Sequence, residues 1–260
     1  MPRPIRGAGL ACVAVVAVAL LGGCTGSGEA PVRSPAGQNA EAAAAADPAA
    51  LLAGAAAATF ASGSTRFALQ MQVSSGGQDT TASGAGSYDF ARKVGDISVT
   101  TTGTAAQRSQ VDVIMDGATF YTRLPGQEGW TRTQAPNATP GGQQYDPAQQ
   151  LDILQKVSSD VRLVGVEELR GEQVRHLAFT IDPASLAAAS GMAADGAAAL
   201  QRGGPIAGDV YIDDAGRVRK LQTRMTMDIA GASTAMNVVS EYIEFGVPVT
   251  VQAPDPATVR

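Results

Sequence analysis

Short runs of alternating apolar and polar residues, each ended by a tight turn signal, leave this chain few folds to choose from. Phe67, Leu69, Met71 and Val73 alternate with Ala68, Gln70 and Gln72 before Gly76-Gly77, the pattern of a half-buried strand entering a hairpin. Val111, Val113 and Met115 repeat the pattern, and Asp116-Gly117 turns the chain into 119–124. Residues 161–169 and 173–181 flank Arg170-Gly171-Glu172, and in the second run Arg175, Leu177, Phe179 and Ile181 share one face. Leu221, Thr223, Met225, Met227 and Ile229 face one way, and Lys220, Gln222, Arg224, Thr226 and Asp228 the other. A last strand spans about 234–245, whereas 79–90 and 94–102 are rich in Thr, Ser and Gly and alternate weakly. Connections this short require antiparallel pairing. The expectation is a single sheet of about ten to eleven strands, which its own twist will curl. One face of it is apolar and needs cover.

Three Asp-Pro pairs supply that cover. Asp47-Pro48, Asp146-Pro147 and Asp182-Pro183 each read as an N-cap followed by proline at the first helical position. The first predicted helix runs to about residue 61, the second carries Leu151, Leu154 and Val157, and the third spans 184–201 with interruptions at Gly191 and Gly196. The fold class is therefore α+β, a half-barrel with helices over its concave face. Alanine makes up 48 of the 260 residues and dominates these helices, so the cover is slender. Such a lid leaves a curved sheet hard to fill to normal packing density. Two readings follow for the inward residues. They form a plain core, or they line an apolar cavity for acyl chains. The cavity would be lined by Phe67, Leu69 and Met71 on one strand and by Val111, Val113 and Met115 on another. Leu177 and Phe179, and then Leu221, Met225 and Met227, would complete it. Met71, Met115, Met225, Met227 and Met236 suit ligands of variable shape.

The N-terminus is a secretion signal. Residues 1–6 are basic and 7–21 are apolar, about 15 residues where a membrane span needs about 20. Leu21-Gly22-Gly23-Cys24 looks like a bacterial lipobox, which makes residues 1–23 a lipoprotein signal peptide and Cys24 the acylated residue. Cys12 falls within the discarded part, so no disulfide can form inside the mature monomer. Two or three acyl chains anchor a protein stably where one does not, which places the chain on the outer face of the cytoplasmic membrane. Residues 24–46, rich in Gly, Ser, Pro and Ala, form a tether of about 25 Å r.m.s. reach, and 47–260 form the domain. Without residues 1–23, 24 acidic residues face 17 basic ones, which excludes nucleic acid as a partner. Sixteen of the 19 basic residues are Arg, a bias typical of GC-rich genomes.

Catalytic and cofactor motifs are missing. No nucleophile elbow, phosphate loop, dinucleotide fingerprint or zinc motif occurs, so no cofactor, metal or enzymatic activity is expected. His176 is the only imidazole, and alternation turns it away from Leu177 and Phe179 toward solvent. Asp213-Asp214 sits at a turn, Glu167-Glu168 point to opposite faces, and Asp182 is a helix cap. Arg217, Arg219 and Lys220 read as a solvated edge that could meet anionic head groups, and Trp130 beside Arg132 as a partly buried site or a cavity mouth.

Four segments in order resemble actinobacterial lipoproteins of the LppX/LprG family, whose fold is similar to the LolA/LolB carriers. They are 114–121 (IMDGATFY) with Trp130, 171–183 (GEQVRH leading into TIDP), 209–218 (DVYIDDAGRV), and 245–249 (FGVPV) with Ala253-Pro254. The resemblance covers about 110–255. It implies a half-barrel closed by helices whose pocket takes lipid or lipoglycan, with a membrane, a lipid or glycolipid ligand and an envelope exporter as partners. The function expected is that of a lipid-anchored carrier or chaperone of the cell envelope. An envelope sensor or scaffold of the same fold, binding a protein and no lipid, is the alternative.

Overall fold

The computed structural model describes residues 47–103, 108–134, 146–229 and 231–260. The signal peptide, Cys24 and the tether lie outside them. Among the described residues, eleven strands form one open antiparallel sheet. The chain enters at the sheet's centre with β1 (Ser64–Ser75) and steps outward through β2 (Gln78–Asp89), β3 (Val94–Gly103), β4 (Ser109–Asp116) and β5 (Thr119–Arg123) to the edge strand β6 (Thr131–Gln134). It then crosses to the opposite edge, β7 (Ser158–Leu169). From there it walks back through β8 (Glu172–Ile181), β9 (Ile206–Ile212) and β10 (Val218–Ile229) to β11 (Ala232–Phe245), which pairs with β1. The hairpin turns fall where sequence put them. Arg170 and Gly171 (φ 55° and 81°) and Gly76-Gly77 (φ 58° and 78°) adopt the left-handed pairs that a two-residue hairpin of matching twist requires.

All three Asp-Pro helix starts are realised. In α1 (Pro48–Ala61), α2 (Pro147–Val157) and α3 (Pro183–Ser190), the aspartate side chain accepts hydrogen bonds from the first-turn N–H groups of Ala49, of Ala148 and Gln149, and of Ser185. Of the two interruptions expected in the helix over 184–201, the one at Gly191 divides it in two, and Gly196 lies within the second helix. Gly191 turns left-handed (φ 62°) and ends α3, and α4 (Ala194–Arg202) begins afresh. Leu52, Ala55 and Ala56 of α1, Leu151 and Leu154 of α2 and Leu200 of α4 join the strands' inward side chains in one core cluster. Polar pins tie this layer to the sheet. The Thr59 hydroxyl donates to Ala55 O (2.7 Å) and accepts from Val218 N (2.9 Å), Ser240 Oγ reaches Gln150 Oε1 (2.7 Å), and Tyr242 OH donates to Pro147 O (3.3 Å).

The weakly alternating segments 79–90 and 94–102 are strands whose inner face sets glycine and alanine against larger side chains. Ala82, Gly84, Gly86 and Tyr88 face inward on β2 and pair with Thr101, Val99, Ile97 and Gly95 of β3. A concave face brings side chains of neighbouring strands together, and glycine makes room for them. The Tyr88 ring lies over its cross-strand partner Gly95, and the Phe179 ring over its partner Gly208. A Cβ added there would stand 2.5 Å and 2.1 Å from those rings. The bowl is thus partly filled by its own aromatic rings.

Candidate functional site

The eleven residues expected to line a cavity divide by depth. Phe67, Leu69, Val113 and Met115 are buried, as are Leu177, Phe179 and Leu221, none more than 7% exposed. Side chains that closed leave almost no surface to a water-sized void, so this part of the bowl is packed core. Met71, Val111, Met225 and Met227 are half-buried instead and pack against that core from its margin.

Register shows why the three methionines among them belong together, whereas Val111 lies apart on β4, paired with Val99. Met71 pairs with Val238, Val73 with Met236 and Met225 with Met236. The inner face of the three central strands β1, β11 and β10 therefore carries a contiguous half-exposed apolar patch toward one end of the sheet. Ile229, exposed by half, continues it at the end of β10. Val238 escapes sequence reading because Val239 follows it and Ser240 interrupts the alternation, so no face can be assigned. Unbranched, polarizable methionine side chains repack around guests of differing shape.

Toward the opposite end of the concave face, Asp146 caps α2 and hydrogen-bonds with Tyr88, which pairs with Thr65. Burial pushes its carboxyl above the usual aspartate range, against the pull of the Gln149 and Ala148 N–H groups and of Tyr88. A raised folded-state pKa contributes stability that is full below the unfolded pKa and is lost as pH rises through the folded one. Asp146→Asn keeps a capping oxygen and removes the charge. It is expected to gain stability over the native chain as pH rises from the ordinary aspartate range to neutrality, by a few degrees in Tm. Thermal melts across that range check it, and a pH-independent difference contradicts it.

The outer face holds the polar residues. His176 lies on it, as alternation requires, yet its side chain is only 12% exposed. Its Nδ1 meets Glu167 Oε1 at 2.7 Å and its Nε2 meets Asp209 Oδ1 at 2.8 Å, while the ring stacks on Tyr211 at 4.3 Å. Burial raises the Asp209 carboxyl, but hydrogen bonds from His176 and Arg224 outweigh it and hold the group below its ordinary value. The cluster is a hydrogen-bonded network of Glu167, His176, Asp209 and Arg224. The basic cluster is likewise engaged: Arg217 with Asp213, Arg219 with Glu172, and Lys220 over Tyr211. Asp213 accepts from Arg217 N at 2.9 Å, the turn role expected of it. Among the described residues, no group of three His, Cys, Asp or Glu could hold a metal, and no helix is long and apolar enough to cross a membrane.

A groove of about 560 Å³ lies on the outer face of β2–β5, walled by Trp130 and by the tail at 248–252. The tail runs on to the sheet edge. Trp130 N donates to Thr258 O (2.7 Å) and Arg260 N donates to Trp130 O (2.8 Å), a parallel bridge that covers the start of β6. Trp130 is therefore on the outer surface and is no mouth of the bowl.

An open curled antiparallel sheet with helices over its concave face is the class of protein this fold defines. No family model matches the chain, and no curated protein matches it. Among solved structures it is similar to LprF from Mycobacterium bovis, at 17% identity over 80% of this chain and 96% of that one, with a TM-score of 0.39. It is similar to the lipoprotein LppX of Mycobacterium tuberculosis at 16% identity, 80% and 100% coverage and a TM-score of 0.44. A third is the MucA/MucB complex of Pseudomonas aeruginosa, at 16% identity, 79% and 59% coverage and a TM-score of 0.32. The mycobacterial lipoproteins are of the family that the sequence motifs resemble.

Proposed function

We propose that the domain takes up the hydrocarbon of a lipid or lipid-like amphiphile at the methionine-lined end of its concave face, as a non-catalytic carrier or chaperone of the cell envelope. The observation that supports this is the half-exposed patch of Met71, Met225, Met227, Met236 and Val238, continuous with a core already packed beneath it. Each methylene removed from water there contributes about 0.8 kcal/mol, so a chain of a dozen carbons binds usefully without a deep pocket. The buried members of the expected lining act as the rigid floor. Acylated Cys24 holds the domain on the outer face of the cytoplasmic membrane, within reach of such ligands on its tether.

Binding is read by displacement. 1-Anilinonaphthalene-8-sulfonate should bind saturably to the delipidated protein and be driven off by palmitate. A protein that neither binds the dye saturably nor releases it to fatty acid is no hydrocarbon carrier. The anchor is read by intact mass: a chain that begins at Cys24 and bears two or three acyl groups is expected, and an unmodified N-terminus removes the membrane from the account.

A further inference from the structure

We propose that the groove on the outer face binds a neutral oligosaccharide, independently of the hydrocarbon site on the opposite face of the sheet. Its volume, about 560 Å³, lies within the range of small-molecule sites. The outward side chains of β3–β5 supply the floor. Asp112 accepts from Ser98, from Gln110 Nε2 at 3.2 Å and from Arg123 Nη2 at 2.7 Å. Hydrogen bonds from Ser98 and Arg123 hold its carboxyl below the ordinary value, and the network fixes the direction of every group in it. Asp96 accepts from Ser87 through Oδ1 and lines the groove beside it. The indole of Trp130 forms one wall, with the Arg123 guanidinium 4.7 Å from the ring centroid.

The chemistry of the floor selects the ligand. Two carboxylates against one guanidinium repel anions, nucleic acid and acidic head groups included. The apolar side chain of the floor, Ile114, is flanked by Asp112 on its own strand and by Asp96 across the β3–β4 pair, so a hydrocarbon chain laid along it would strip water from carboxylates. An extended peptide docks on a sheet by pairing with a free strand edge, but β2–β5 are paired on both sides and their backbone groups are used in the ladder. What remains is a ligand that brings its own dense array of donors and acceptors and also an apolar face to set beside an indole. A saccharide has both, hydroxyls around its rim and C–H groups on its ring faces.

Trp130 is the only tryptophan in the chain, so its fluorescence reports on this groove alone. The full chain is titrated with a panel of neutral trisaccharides of gluco, manno, galacto and arabino configuration, up to about 10 mM, tenfold above a weak Kd of about 1 mM. At least one should change the emission saturably. Asp96→Ala should weaken that binding about tenfold or more, and calorimetry should show a comparable loss for Trp130→Phe. Met225→Asp, on the other face, should leave it unchanged. No saturable response to any member of the panel overturns the proposal. So does a response that survives Asp96→Ala, or one that Met225→Asp abolishes.

Discussion

Gly86→Val should destabilise the domain by about 3 kcal/mol or more, with the loss read by urea or thermal unfolding. Gly86 faces inward on β2, opposite Ile97 of β3, and a Cβ there would fall 1.9 Å from the Asp96 carbonyl oxygen. The obstacle is backbone in a paired strand, so relief requires β2 and β3 to part near the middle of the sheet. Gly54 is a fair control. It lies on α1 with nothing within 4 Å of an added Cβ, so Gly54→Ala should be neutral or slightly stabilising. Similar losses at both positions would mean that close strand approach is not what glycine serves at 86.

That site also shows how far the sequence could be read. Hairpins, helix starts and the antiparallel sheet were legible because Gly-Gly, Arg-Gly and Asp-Pro act over two or three residues and need no tertiary context. The central β2–β3 pair was faint for a reason the fold supplies. Along that pair the inner face uses Gly84, Gly86 and Gly95 beside Ala82, Ile97 and Val99, and glycine writes no hydrophobic alternation. The break at Gly191 was visible, although its strength was not, since a left-handed cap depends on the geometry that follows it. The inward residues were identified from their alternation alone. Their division into packed floor and half-exposed rim depends on Phe179 and Tyr88 lying over glycines on adjacent strands, contacts that no single-strand pattern records. The outer groove lacked any sequence signal, because residues 87–130 reach it from four strands and its far wall comes from 248–252.

Met225→Asp should lower affinity for palmitate about 100-fold while the fold persists. Met225 is half-buried and faces Met236 across the β10–β11 pair at the middle of the patch. A carboxylate there must lose water whenever hydrocarbon covers it, an uncompensated cost of about 3 kcal/mol. In the free protein the rim is open enough to keep that group hydrated, so unfolding should move far less than binding. Val166→Asp, at an exposed site on the edge strand β7, should leave affinity intact. Equal affinity in the Met225 variant would place the ligand elsewhere.

The most direct test is native mass spectrometry of the full chain after gentle extraction from membranes. The account predicts the folded protein carrying one lipid-sized adduct that dissociates as an intact amphiphile and is missing from Met225→Asp. A protein recovered at its own acylated mass with no such adduct, or with an adduct that the variant retains, would contradict hydrocarbon uptake on the concave face.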